Sequence, residues 1–138
     1  MRSLPEIEAR IDVLSTAPDP VPAATELLGL GEEILEHWVR GREGVPTEQT
    51  SEGFRLLALH RQGSRGEPSF NACRETCREL VFHYNLISGE PDSPENRQRL
   101  AMAAMLARHL ALFVSGKMQV QKLGEFCCSS RPLRAEAS

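Results

Sequence analysis

Apolar residues recur every three or four positions along most of this chain, and that spacing constrains the fold more than any other feature. The periodic segments span about residues 4–16, 23–41, 47–64, 70–87 and 94–123, with proline, glycine or serine between them. Such spacing places apolar side chains on one face of an α-helix, whereas a strand needs alternation with a period of two, which no segment sustains. The sequence therefore predicts an all-α fold, a compact antiparallel bundle of four to five helices.

The ends of these segments carry helix-capping signals. Ser3 and Glu6 have the spacing of a capping box, in which each side chain accepts a hydrogen bond from the other residue's backbone N–H. Thr47 and Ser69 are residue types that cap helices, and they precede the third and fourth segments. Residues 17–22 contain three prolines, which predicts an extended linker before the second helix.

The longest apolar run, residues 100–116, lies within the fifth segment. It is shorter than the about 20 residues that cross a membrane, and Arg108 and His109 interrupt its middle. We therefore expect no membrane association. The run is interpreted as a long apolar C-terminal helix at the centre of the bundle.

The length of the chain bounds its organisation. With 138 residues and a mass of 15.3 kDa, it has the usual size of one domain. Such a domain buries roughly two thirds of the surface that its unfolded chain exposes, so no cofactor is needed to hold it together. We expect a single helical domain over residues 1–128 and a flexible tail over residues 129–138, since the tail lacks periodic apolar residues.

Charge and export signals narrow the partners and the compartment. A formal charge of −3, a pI near 5.8 and the lack of a lysine or arginine run give no general attraction to phosphate backbones, so we expect no nucleic-acid partner. Acidic residues such as Glu6 and Asp12 interrupt the N-terminal segment, where a secretory signal would be apolar. The predicted location is the cytoplasm, where cysteines stay as free thiols or ligands. The four cysteines are Cys73, Cys77, Cys127 and Cys128.

Cys73 and Cys77 lie four residues apart on the apolar side of the fourth predicted helix. If short loops make consecutive helices antiparallel, His60 and His109 fall at the same level as Cys73. A cluster of two thiolates and two imidazoles can hold zinc or a softer metal. The alternative interpretation is that both cysteines are small apolar fillers of the core, because cysteine is among the most buried residue types.

Two further features suggest contact surfaces. Trp38 and Phe126 are the large apolar side chains that we expect to be only partly covered, and Cys127 and Cys128 extend the patch at Phe126. Residues 64–71 form a polar, glycine-bearing connection into the fourth helix. Such an end can bind an anion, or it can be a plain helix cap.

Catalytic motifs of the common enzyme classes are not found in the sequence: it has no hydrolase elbow, Walker loop, dinucleotide glycine fingerprint, zinc-protease helix or EF-hand loop. We therefore expect no enzyme and no cofactor. The predicted function is that of a small non-enzymatic interaction or regulatory module that binds a protein partner or a second copy of itself. The alternative is a soft-metal or thiol-redox carrier that uses the cysteine and histidine cluster inside the bundle.

Overall fold

The computed structural model describes residues 2–122, and within this range the chain forms helices and no strand. The predicted all-α fold of helices packed against each other is confirmed. Phe126, Cys127, Cys128 and the predicted tail lie outside the described residues. The elements in chain order are α1 (Leu4–Leu14), α2 (Pro20–Gly41), α3 (Arg55–Gly63), a 3₁₀ segment (Pro68–Cys73), α4 (Arg74–Gly89) and α5 (Asn96–Gln121).

α5 is the hub of the bundle, as the sequence predicts, and packs against α1, α2 and α4. By length and composition it could also cross a membrane, but core helices of soluble proteins pass the same test. Its packing against three other helices accounts for the apolar residues on its inner side. Four alanines on its buried side let the neighbouring helices approach closely: Ala103, Ala104, Ala107 and Ala111.

The first two helices begin as local chemistry requires. The capping box of α1 is present, because Ser3 accepts a hydrogen bond from the Glu6 backbone and donates its own backbone N–H to the Glu6 carboxylate. α2 begins at Pro20 and not near residue 23. Prolines fit the first turn of a helix because the N–H groups there have no intrahelical partner. Pro20 and Pro22 therefore belong to α2, and the linker is shorter than the sequence predicts.

α3 begins at Arg55, although the sequence predicts a start at residue 47. The preceding segment is a loop that Arg55 holds against α2. Its guanidinium donates to the Thr47 carbonyl at 2.8 Å and forms ion pairs with Glu32 and Glu36 of α2. This long-range anchor favours the loop over an additional helical turn.

The fourth predicted helix is not one regular helix. Its first part is the 3₁₀ segment, and α4 begins only at Arg74. Within the 3₁₀ segment the Phe70 carbonyl bonds with His60 Nε2 at 3.1 Å and accepts from Cys73 Sγ at 3.3 Å. The Phe70 carbonyl thus bonds with side chains, and a 3₁₀ geometry with its shorter hydrogen-bonding interval takes the place of the first α-helical turn.

Trp38 is fully buried, so the prediction of a partly covered contact residue is wrong. Phe70 stacks on its ring with centroids 4.7 Å apart, and the indole N–H donates to the Gly63 carbonyl at 2.8 Å. Gly63 makes this approach possible, since a Cβ there would lie 2.8 Å from the Trp38 ring. Gly63 and Phe70 thus cover the Trp38 side chain, which α2 alone would have left exposed.

Candidate functional site

Three of the four predicted metal ligands come together where α3, the 3₁₀ segment and α4 meet. Cys73 ends the 3₁₀ segment, Cys77 lies in the first turn of α4, and His60 reaches them from α3. All three are buried. Cys73 and His60 share the Phe70 carbonyl as a hydrogen-bond partner. We call these three residues the thiol–imidazole group.

His109 does not belong to this group. It is exposed on α5, whose core-facing residues nearby are Ala107, Leu110 and Ala111. Within residues 2–122, no three His, Cys, Asp or Glu side chains are grouped so that they could hold a metal ion. The predicted four-residue metal site therefore does not form.

The pKa values of the two thiols in the thiol–imidazole group shift in opposite directions. A hydrogen bond from the Cys77 thiol, helped by His60, lowers the pKa of Cys73 to about 6. The same hydrogen bond, now seen from its donor, raises the pKa of Cys77 well above its ordinary value, and burial raises it further. The lowered pKa of Cys73 favours its thiolate, the form of cysteine that attacks electrophiles, at a sulfur that is buried beside the cleft.

A cleft of about 420 Å³ opens beside this group. His60 and Cys77 belong to its wall, and the other lining residues come from α3, α4 and the connecting loops. We name it the arginine cleft after three of them. Its polar lining includes Arg61, Arg74, Arg78, Ser51, Glu52, Ser64 and Asn71.

Two of the seven polar residues come from the connection that the sequence identifies as a possible anion-binding end, namely Ser64 and Asn71. The sequence gives no distinct signal for the arginines, because Arg74 and Arg78 each directly precede a glutamate and resemble an ordinary solvated helix face. Their spacing of four residues was the available signal. It places both side chains on the same side of α4.

The second exposed feature is the outer face of α5, defined by its solvent-exposed residues from Gln98 onward. Met105 and Leu112 are each 55% exposed and Val120 is 82% exposed. The apolar character of the whole α5 sequence, including the side away from the core, was the signal for this face. Its members are Gln98, Ala101, Met102, Met105, His109, Leu112, Gly116, Gln119 and Val120.

The charged residues of α5 are bound to the protein itself. Arg97 donates to the Ala17 and Pro18 carbonyls, Arg99 forms ion pairs with glutamates just before the helix, and α5 contains no Asp or Glu. Arg108 pairs with Asp12 of α1, and Lys117 pairs with Glu67. The outer face is thus left without a carboxylate or an unengaged guanidinium along its middle.

No family model, no curated protein and no solved structure matches this chain. Function is therefore inferred from the chemistry of the thiol–imidazole group, the arginine cleft and the outer face of α5.

Proposed function

We propose that this protein is a small non-enzymatic interaction module that pairs with a second copy of itself through the outer face of α5. The observation that supports this most is the neutrality of an exposed apolar helix face. Its large apolar residues are exposed, while Arg108 and Lys117 are held by carboxylates of the same chain. Two such faces can meet without bringing like charges together.

The face is also complementary to itself in the antiparallel sense. Met105 and Leu112 are equally far from the midpoint of α5, so a two-fold axis there places Met105 of one copy against Leu112 of the other. Ala101 likewise meets Gly116. His109 then lies at the axis, Met105 and Leu112 pack on either side of it, and small side chains allow close approach farther out.

The size of the face sets the expected affinity. A helix of 26 residues is about 39 Å long and about 10 Å wide, so it covers on the order of 400 Å² in projection. A standard interface buries about 800 Å² on each partner. Parts of α1 and α4, which both pack against α5, must contribute the rest, and we expect a dissociation constant of roughly micromolar magnitude.

Sedimentation equilibrium over a range of protein concentrations tests the proposal. Wild-type protein should dimerise, and Leu112→Asp should be monomeric with unchanged helical content, because a buried unpaired carboxylate is unfavourable at an interface. Val45→Asp is the matched control, since Val45 is 82% exposed in the loop before α3 and should leave dimerisation unchanged. A monomer at all concentrations, or a dimer unaffected by Leu112→Asp, contradicts the proposal.

A charge-swap experiment tests the antiparallel arrangement itself. Met105→Glu or Leu112→Lys alone should weaken dimerisation, because each places a charge against an apolar partner. The double variant should restore it, since Glu at position 105 of one copy then meets Lys at position 112 of the other. A parallel pair would instead oppose like charges, so failure of the double variant to recover rejects this register.

A second candidate function, a thiol-redox carrier, is supported by the lowered pKa of Cys73 beside a second thiol. In this reaction the Cys73 thiolate attacks one sulfur of a low-molecular-weight disulfide and releases one thiolate. Cys77 then gives up its proton and attacks Cys73, which releases the second. The two cysteines are oxidised to a disulfide, and the reagent is reduced to two thiols, which take up the two protons.

Intact mass spectrometry distinguishes this candidate. The Cys127→Ser/Cys128→Ser variant removes the other two thiols. When this variant is incubated in its folded state with glutathione disulfide, its mass should fall by two hydrogens. Adding Cys77→Ser should stop the reaction at a mixed disulfide on Cys73. Thiols that remain unmodified until the protein is denatured show that Cys73 and Cys77 only fill the core.

A further inference from the structure

We infer that the arginine cleft binds a small phosphate-bearing ligand. Its lining contains three guanidinium groups, from Arg61, Arg74 and Arg78, and one carboxylate, from Glu52. This leaves an excess of two positive charges in one concave site of a chain whose net charge is −3. Like charges that crowd together destabilise a folded protein, so their presence in one cleft favours a role in binding an anion.

Two of the three arginines are available for a ligand. Arg78 pairs with Glu52, with N to O distances of 2.9 and 3.3 Å. That hydrogen bond is the main reason why the pKa of Glu52 is lowered, and the charge of Arg74 adds to it. Arg61 and Arg74 form no ion pair with any other residue between positions 2 and 122. Each guanidinium can therefore offer a pair of parallel N–H donors to phosphate oxygens.

The inner wall supplies a further polar group. His60 is buried, and its Nε2 is engaged with the Phe70 carbonyl. His60 belongs to the lining of the cleft. Its imidazole therefore adds a polar group to the inner wall, beside the arginines.

The shape and composition of the cleft indicate the ligand class. A volume of about 420 Å³ is within the range of small-molecule sites, while the apolar lining is limited to Leu57 and Cys77. Ser51, Ser64 and Asn71 add neutral donors. A ligand with a large apolar group would find little to pack against, so a compact polar phosphate ester or pyrophosphate fits best.

An adjoining cleft extends this site. It has a volume of about 370 Å³, shares Ser51 and Arg61 with the arginine cleft, and adds Arg65 and Thr50. Arg61 thus lies between two polar depressions. A ligand with two phosphate groups can reach both, so pyrophosphate should bind more tightly than inorganic phosphate.

Isothermal titration calorimetry of the full chain with pyrophosphate, in a low-salt buffer free of other multivalent anions, tests the inference. Arg61→Ala and Arg74→Ala should each weaken binding at least tenfold. Arg74→Lys should weaken it about threefold, because lysine keeps the charge and loses the paired donors. Arg40→Ala is the matched control, since Arg40 is exposed on α2 and lines a different depression.

The outcomes are decisive in both directions. Saturable binding of pyrophosphate that is lost in the two cleft variants and kept in Arg40→Ala supports the inference. It is overturned if wild-type protein binds no pyrophosphate at millimolar concentration, or if the control loses as much affinity as the cleft variants. Tighter binding of malonate than of phosphate replaces the phosphate class with a dicarboxylate. Binding of heparin or duplex DNA without binding of pyrophosphate replaces the small ligand with a polyanion.

Discussion

Arginine side chains have opposite roles on two sides of this molecule. Along α5, Arg97, Arg99 and Arg108 are bound to carbonyls or carboxylates of the same chain. In the arginine cleft, Arg61 and Arg74 form no ion pair within residues 2–122. Where the fold neutralises its own cations, the surface is suited to apolar contact, and where it does not, a positive field remains for an anion.

The two groups of arginines should therefore differ in whether their removal affects folding stability or ligand binding. An arginine bound within the fold contributes to stability, so its removal should be visible in unfolding experiments. An arginine that faces only a cleft should be nearly neutral for stability and important for binding. Variants at the two kinds of position distinguish these roles, and the largest effect is expected at the residue on which both regions depend.

Phe70→Ala should have the largest effect, because Phe70 supports both regions. Its ring stacks on Trp38 and His60 behind the arginine cleft and also contacts Phe113 of α5, with centroids 4.7 to 5.6 Å apart. Removing a buried aromatic ring costs about 3–5 kcal/mol. Urea unfolding measures the loss.

Phe82→Ala is the matched control for this variant. Phe82 is 57% exposed, so its removal should change the free energy of unfolding by no more than about 0.5–1 kcal/mol. A Phe70→Ala variant that is no less stable than Phe82→Ala would show that the 3₁₀ segment does not hold the two regions together.

Arg55→Met should have the next largest effect and provides the direct contrast with the cleft. Arg55 is held between Glu32 and Glu36, and its loss leaves both carboxylates partly buried without a partner. We expect the free energy of unfolding to fall by about 1–2 kcal/mol. Arg74→Ala should change it by about 0.5 kcal/mol or less, and equal losses in the two variants would remove the distinction.

The pH dependence of Arg55→Met has a definite sign. Burial already raises the pKa of Glu32 despite the nearby Arg55, and removal of Arg55 should raise it further. A carboxyl whose pKa is raised in the folded state binds more protons there than when unfolded, so stability falls as pH rises through its titration. The destabilisation by Arg55→Met should therefore be larger at pH 7 than at pH 4.

The two regions also differ in how far they could be predicted from sequence. The position of α5 as the hub of the bundle follows from its long apolar run, and the burial of Cys73 and Cys77 follows from local periodicity. These predictions succeed because a helical repeat records which residues face inward. They need no knowledge of which other segment covers them.

The arginine cleft and its surroundings depend on contacts that no local pattern records. Trp38 is covered because residues 63–70 return over it, and α3 starts late because Arg55 bonds to α2. His109 fails as a ligand for a related reason, since two helices can share a level while a side chain points away from the partner. The height of a residue along the bundle follows from the loop lengths. The direction in which its side chain points depends on how the helix is rotated about its own axis, and packing sets that rotation.

Salt concentration should affect binding at the two surfaces differently, by a factor of several-fold. Raising NaCl from about 50 to 200 mM shortens the Debye length from about 14 to 7 Å and weakens exposed charge–charge attraction. The affinity for pyrophosphate should fall several-fold, and the dimer dissociation constant should stay constant or decrease, because apolar contact does not depend on screening. Calorimetry and sedimentation in the same buffers measure both, and a dimer that dissociates with salt would indicate a charged interface.

Glu67→Gln should have the smallest effect and tests how the C-terminal part of the outer face is kept neutral. Glu67 accepts hydrogen bonds from Ser69 and Gln121 and pairs with Lys117, which together lower its pKa to about 2. A carboxyl whose pKa is depressed in the folded state stabilises the fold above its unfolded pKa, near 4.5, and this contribution is lost as pH falls toward 2. At pH 7 we expect the variant to melt about 1–2 °C lower than wild type and to dimerise slightly less, because Lys117 loses its carboxylate.

The melting difference should narrow between pH 4.5 and pH 3, whereas Glu43→Gln, at an exposed position after α2, should show none at either pH. If the difference does not change with pH, the ionised Glu67 carboxylate does not anchor the 3₁₀ segment to α5.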